Sequence, residues 1–238
     1  MVSESDFSPA VFLDLSRTTH SELFASAEPV WSAVGRIGTY LGGVLEPGVR
    51  GDVMPGALVG ERVFIGKGTK VMSGAVIQGP AWIGEGCFIG TGCCIRENVI
   101  IDHHSVVSNS SELKNCVLFE GCEVPHFNYV GDSLLGHKAH LGAGAVLSNW
   151  RLDHRPIAIS LPDGSKRETG LAKFGAVVGD HVDIGCHCTI SPGSLLGRHS
   201  VIYPNTHWRG WLDPHRVVKL RQSLEVVERQ PPGSGGTC

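Results

Sequence analysis

Residues 53–95 read VMPGALVGERVFIGKGTKVMSGAVIQGPAWIGEGCFIGTGCCI, and an aliphatic residue returns in this segment at every sixth position. The full series comprises Val53, Val59, Ile65, Val71, Ile77, Ile83, Ile89, Ile95, Ile101, Val107 and Leu113. A period of six matches neither a 3.6-residue helix nor a two-residue strand alternation, but it is typical of a parallel β-helix with one strand and one turn per hexapeptide. The sequence therefore predicts a mainly β fold, with three hexapeptides in each coil.

The six-residue register shifts twice between residues 113 and 135, where the step is five residues, and it resumes at Val178 after a long interruption. We therefore predict a β-helix over 51–205 with a loop excursion at 150–174. Long excursions from a repetitive scaffold are where binding residues are usually found.

The two ends of the chain lack the repeat. Residues 1–50 are predicted to form an N-terminal helical segment, because Ser26 could cap a helix over about 29–41 whose apolar residues have helical spacing. Residues 206–238 are predicted to form a C-terminal extension, which ends in a disordered tail at 231–238.

Bulk composition narrows the class of protein. A net charge of -3 at pH 7 gives no signature of nucleic-acid binding or of a polybasic membrane contact. No run of residues approaches the roughly 18 apolar positions of a membrane span, and residues 1–20 lack a secretory leader pattern. The sequence therefore predicts a cytoplasmic protein without nucleic-acid or membrane partners.

Four of the eight cysteines occupy one position of the repeat, four residues after an aliphatic residue. They are Cys87, Cys93, Cys122 and Cys188. That position holds small residues that point inward, so we interpret these thiols as reduced core residues. The Cys-x-x-Cys spacing of structural zinc sites does not occur, and we predict no metal ligands.

His126 is the outstanding candidate for chemistry, because it follows Val124 by two residues and the repeat predicts an outward side chain there. A neutral imidazole near pH 7 could remove a proton from an amine nucleophile. The alternative is a solvated surface histidine without a role.

A family resemblance begins at the same residue. Residues 126–150, HFNYVGDSLLGHKAHLGAGAVLSNW, contain His-x-x-Tyr-x-Gly-Asp, then Gly-Ala-Gly, then an Asn-aromatic pair, and Glu-Leu-Lys precedes them at 112–114. These motifs resemble the acetyltransferase domain of the bifunctional glucosamine-1-phosphate acetyltransferase / N-acetylglucosamine-1-phosphate uridyltransferase. They also resemble related archaeal sugar-phosphate nucleotidylyltransferases with acetyltransferase tails. The resemblance implies that the β-helix is left-handed.

The resemblance also implies an acetyl-CoA-dependent N-acetyltransferase that acts on an amino-sugar 1-phosphate, with His126 as general base. Arg96 and Lys114 would bind the 1-phosphate as a pair of cations. The remaining acceptor-binding positions would be Tyr129, Asn149 and His140, the last standing where asparagine is common.

For the cosubstrate, acetyl-CoA, the resemblance implies a pantetheine site at Ala143 and a thioester contact at Cys186. Lys173 would reach the CoA phosphates, and Arg198 and Arg209 are further candidates. The resemblance implies a homotrimer as well. No Gly-rich phosphate loop is found, so we predict no nucleotidyltransferase activity.

Two other readings remain open. The chain could be a zinc enzyme similar to the γ-type carbonic anhydrases, because twelve histidines are present and His181 and His199 share a register in which they could stack. Alternatively, it could be a non-enzymatic trimerisation or regulatory β-helix module.

Overall fold

The computed structural model describes residues 3–25 and 28–229, and three parallel sheets run through most of this range. We name them sheets A, B and C in the order in which each coil contributes its strands. They form the three sides of a left-handed parallel β-helix, which confirms the predicted fold.

The strands are short, as hexapeptide coils require. Sheet A contains Gly48–Val49, Val63–Ile65, Ala81–Ile83, Val99–Ile101, Cys116–Leu118, Leu134–Leu135, Ala176–Val178, Ser194–Leu196 and Trp211–Leu212. Sheet B contains Asp52–Val53, Lys70–Val71, Phe88–Ile89, Val106–Val107, Glu123–Val124, His140–Leu141, Asp183–Ile184, Val201–Ile202 and Val217–Val218. Sheet C contains Leu58–Val59, Val76–Ile77, Cys94–Ile95, Glu112–Lys114, Tyr129–Gly131, Val146–Leu147, Thr189–Ile190 and His207–Trp208.

The strands therefore extend beyond the predicted limit at residue 205, because the last partial coil runs to Val218 with fewer residues per turn. From Ile65 to Leu113 the predicted aliphatic series fills the interior of the coils, whereas Val59 is only partly buried and Val53, on the first coil, is exposed. Cys87, Cys93, Cys122 and Cys188 are buried in the same interior, as their register predicted.

The two register shifts shorten the corner between sheets C and A. Val53 pairs with Val71, 18 residues later, whereas Leu113 pairs with Val130, only 17 residues later. Asn115 and Asp132 turn these short corners, each with a φ of 47°. Asn and Asp tolerate this left-handed conformation better than other non-glycine residues do.

The N-terminal segment contains 3-10 helices at Glu4–Phe7, Leu15–Arg17 and Ser21–Phe24, and α-helices at Pro9–Phe12 and Ser32–Val44. The longer α-helix starts and ends three residues later than the predicted range of 29–41, because Pro29 to Trp31 form a turn before it. The predicted cap at Ser26 lies outside the described residues. No helix of the described ranges is long and apolar enough to cross a membrane.

The N-terminal segment covers the outer face of sheet A. Outward residues of that sheet form a second core with the segment, among them Ile100, Val117 and Leu195. Two buried carboxylates fix the segment: Asp102 accepts the Thr19 N–H at 2.9 Å, and Asp180 accepts the Asp14 N–H at 2.7 Å.

The excursion at 150–174 contains an antiparallel hairpin of Ala158–Ser160 and Lys166–Glu168. Ile157, Ile159 and Phe174 are buried in the same second core as the N-terminal segment. Sheet A is thus covered by two segments of its own chain. The hairpin is consequently held against the β-helix beside sheet C.

Candidate functional site

The predicted acceptor residues of sheet C do come together in the structure. Arg96 and Lys114 follow directly after the paired residues Ile95 and Leu113, so they lie on neighbouring strands at the same edge of the sheet. Arg96 donates to Glu112 at 2.9 Å. Glu97 lies between the two cations, 3.6 Å from Arg96 and 3.7 Å from Lys114.

Asp132 is the centre of the hydrogen bonds beside these cations. Its side chain is buried, with 4% of the residue exposed. It accepts the side-chain amide of Asn115 at 2.8 Å and that of Asn149, and Lys114 Nζ lies 4.0 Å away. One short corner therefore connects residues of three successive coils.

Tyr129 and Asn149 complete this group, which we call the sheet C cluster: Arg96, Glu97, Glu112, Lys114, Tyr129, Asp132 and Asn149. The Asn149 amide donates to the Tyr129 hydroxyl at 3.2 Å. Partial burial raises the pKa of Tyr129, so its hydroxyl stays protonated and can donate near neutral pH. Gly131 leaves room for the pair, since a Cβ there would lie 2.6 Å from that hydroxyl.

His126 lies at the corner between sheets B and C, with an exposed side chain as its register predicted. Its backbone is fixed by Asn128, whose side-chain oxygen accepts the His126 N–H at 3.0 Å. The Asn128 amide donates to the Gly142 carbonyl at 2.7 Å in the next coil. Asn128 thus holds the backbone of this corner, while the imidazole is exposed to solvent.

Ala143 and Cys186 continue the same corner in the next two coils. The Gly144 N–H donates to the His126 carbonyl at 2.9 Å, and the His187 N–H donates to the Ala143 carbonyl at 2.8 Å. Successive strands of a sheet are about 4.8 Å apart. The three predicted residues thus lie in a line along the helix axis, and Cys186 is exposed there.

Other predicted residues lie apart from this arrangement. His140 is on sheet B, where its Nδ1 lies 3.7 Å from Asp183, so it does not join the sheet C cluster within one chain. Arg198 Nε forms an ion pair with the buried Asp180 at 3.1 Å, so this side chain has a structural partner within the chain. Lys173 lies over the Trp150 ring at 5.4 Å, and Arg209 lines a cavity beside the hairpin.

Sequence reasoning gave no role to Glu97, Glu112, Asn128 and Asp132. Asn128 left a signal, because it is an amide at the inward repeat position four residues after Val124. Asp132 directly follows the Gly of the His-x-x-Tyr-x-Gly-Asp motif, at one of the shortened corners.

The predicted stack of His181 on His199 is confirmed, with ring centroids 4.9 Å apart and planes 6° apart. His215 extends the stack at 4.9 Å. Within the described part of one chain, no group of three or more His, Cys, Asp or Glu is placed to hold a metal ion. The imidazole rings therefore stack face to face, and their nitrogens do not converge on one point where a metal ion could bind.

The segment that contains His126 and the sheet C cluster is similar to known proteins. Residues 77–184 match the family model described as the GMPPB C-terminal domain. The bifunctional sugar-1-phosphate nucleotidylyltransferase/acetyltransferase of Sulfurisphaera tokodaii is 38% identical over 95 residues, which are 40% of this chain and 23% of that relative. The chain spans less than a third of the first curated relatives that it matches.

Among solved structures, the GDP-perosamine N-acetyltransferase of Caulobacter crescentus, in complex with CoA and GDP-perosamine, has a TM-score of 0.29 and 17% identity. The match covers 60% of this chain and 51% of that one. A likeness of this size assigns neither a ligand nor a site to this chain.

A more extensive match is the uncharacterized acetyltransferase YaiX of Escherichia coli K12, 37% identical over 162 residues. These residues are 68% of this chain and 70% of the relative. Together with the hexapeptide coils, this match shows that the chain belongs to the left-handed β-helix family of hexapeptide-repeat acyltransferases.

Proposed function

We propose that the chain transfers the acetyl group of acetyl-CoA to the 2-amine of a hexosamine 1-phosphate, with His126 as general base. The observation that carries the proposal is that the residues predicted to bind the acetyl donor lie next to those predicted to bind the acceptor. The line of His126, Ala143 and Cys186 runs along one border of sheet C, and the cluster with Tyr129 lies on that sheet.

The sheet C cluster suits a phosphorylated sugar. Glu97 is held only at ion-pair distance by Arg96 and Lys114, and its side chain is 39% exposed. A phosphate dianion between the two cations would take the place of that carboxylate and accept charge-assisted hydrogen bonds. Tyr129 and Asn149 would then contact sugar hydroxyls.

The corner residues suit the acetyl donor. The pantetheine arm would run along Ala143, and the thioester carbonyl would lie between Cys186 and His126. The amine nitrogen attacks that carbonyl, a C–N bond forms, and the C–S bond breaks to release CoA. His126 takes the proton that the nitrogen loses. General-base catalysis of this kind contributes about 10² to 10⁴ to the rate.

A homotrimer is part of the proposal. The outer face of sheet A is covered by the N-terminal segment and the hairpin, whereas no residue of the strands of sheets B and C belongs to that second core. A neighbouring copy packed against the corner of His126 would supply the wall that one chain lacks. Sedimentation should therefore show a trimer of the 25.4 kDa chain at micromolar concentration.

The test is a panel of amino-sugar phosphates with acetyl-CoA, in which the N-acetylated product is measured by mass spectrometry. We expect His126→Ala to lower kcat by about 10² or more and to leave acetyl-CoA binding nearly intact. Lys114→Ala should mainly raise the KM of the sugar phosphate. His215→Ala is the matched control, because it removes an exposed corner histidine far from the site.

Two results would overturn this mechanism: a wild type that acetylates no member of the panel, or a His126→Ala variant with full activity. In the first case the chain would be better described as a non-enzymatic β-helix module.

A further inference from the structure

A cavity of about 540 Å³ lies between the hairpin and the last coils of sheet C. Lys166 of the hairpin and Arg209 of the last coil line it, together with Ser148, Ser160 and Ser191. Ligand pockets of this kind usually have volumes of roughly 300 to 1,000 Å³. The cavity is therefore large enough for a substantial part of a small molecule.

The charges that line the cavity are mainly positive. Arg151 is paired with Asp153 through both carboxylate oxygens. Lys166 and Arg209 form no ion pair with any residue of the described ranges, and both are exposed. Three cations therefore oppose one carboxylate. By contrast, the sheet C cluster has two cations against the three carboxylates of Glu97, Glu112 and Asp132.

Hydroxyl groups accompany these cations. The side chains of Ser148 and Ser160 make no hydrogen bond within the part of the chain that the structure describes, so they can donate to a ligand. Ser191 is buried, and its hydroxyl contacts His207 Nε2 at 2.7 Å. Lysine, arginine and hydroxyl donors around one space are the groups that bind phosphate oxygens.

The cavity lies beside the proposed acceptor site along sheet C. Ser148 and Trp150 line it on either side of Asn149, a member of the sheet C cluster. Leu147 pairs with Val130 in one direction and with Ile190 in the other, so Gly131, Ser148 and Ser191 follow each other along one edge of sheet C. A ligand bound at the cluster can therefore extend along this edge into the cavity.

We propose that the cavity is a phosphate-binding subsite, in which Lys166 and Arg209 bind the phosphate groups of a nucleotide. Nucleotide phosphates could come from a sugar acceptor linked to a nucleoside diphosphate, or from the 3′-phosphoadenosine diphosphate end of CoA. Assignment to a substrate rests on the proposed function, whereas phosphate binding itself does not. The shared edge with Asn149 favours the acceptor.

Isothermal titration at low and high salt tests the subsite on the full chain, with UDP, adenosine 3′,5′-diphosphate and inorganic pyrophosphate as probes. We expect at least one probe to bind, and Lys166→Ala and Arg209→Ala each to weaken it about tenfold or more. Both side chains are exposed, so thermal unfolding should be unchanged. Lys67→Ala, an exposed lysine remote from the cavity, should bind as the wild type does.

Competition identifies the source of the phosphate. Displacement of the probe by a sugar nucleotide assigns the cavity to the acceptor, and displacement by CoA assigns it to the donor. The subsite is refuted if no probe binds, or if the double variant of Lys166 and Arg209 binds like the wild type. Normal acetylation of a hexosamine 1-phosphate in that case would leave the proposed function intact. Probe binding without any acetyl transfer would refute only the function.

Discussion

Gly131→Ala should disable the acceptor site without unfolding the protein. The added methyl would lie 2.5 Å from Asn149 Nδ2 and 2.6 Å from the Tyr129 hydroxyl. Ordinary contacts begin near 3.5 Å, so each group must move by about 1 Å. Both are ends of side chains, and Gly131 has no positive φ, so the backbone tolerates alanine.

The expected loss follows from that displacement. Misplacement of a binding group by about 1 Å can cost about 10²-fold, equivalent to roughly 2.7 kcal/mol of transition-state stabilisation. The displaced Asn149 amide donates to the Tyr129 hydroxyl and to the Asp132 carboxylate, bonds worth about 1 and about 1.5 to 3 kcal/mol, and the lower chain entropy of alanine offsets part of their loss. We therefore expect kcat/KM for the acceptor to fall about 10²-fold, and the free energy of unfolding in urea to fall by at most about 4 kcal/mol.

Steady-state kinetics with both substrates, together with urea unfolding, measures these effects. Gly35→Ala is the control: its methyl meets only Leu171, at 3.5 Å, and activity should be unchanged. Tyr129→Phe combined with Gly131→Ala should lose less than the two separate losses added together, because the phenylalanine has no hydroxyl to displace. Unchanged acceptor kinetics in Gly131→Ala, or additive losses, would refute the assignment of Tyr129 and Asn149.

Acid should destabilise the protein through His20, which is 5% exposed and whose burial lowers its pKa from 6.5 to about 4. Because the unfolded chain binds the proton more readily, this contribution is complete above pH 6.5 and is lost as pH falls towards 4, by at most about 3 kcal/mol. Urea unfolding from pH 7.5 to 4.5 should therefore show a smaller loss of stability in His20→Phe, and equal losses would contradict it. Separately, thiol titration of the protein unfolded without reductant should find all eight cysteines. In the folded protein Cys186 should react first among the seven described, while burial raises the pKa of Cys87 and Cys93 to about 11 and protects them. Six or fewer reactive thiols after unfolding would show a disulfide.

The hexapeptide period by itself determined the β-helix, the inward cysteines and the outward direction of His126. The reason is local: each coil must place an aliphatic residue inside and a turn at each corner, so every six residues repeat the same constraint. The family resemblance implied that Arg96 and Lys114 act as a pair, and the structure places them on neighbouring strands because coils pair residues 18 positions apart.

Only the tertiary structure decided which side chains meet across coils. Asp132 joins Asn115, Lys114 and Asn149 because two shortened corners are stacked above one another. His140 lies on sheet B, another side of the β-helix, because it directly precedes Leu141 on that strand. The cavity beside Arg209 exists because Ile157 and Phe174 anchor the excursion in the core over sheet A, which holds the hairpin against the last coils. Such contacts depend on how distant segments pack, and a local period carries no information about them.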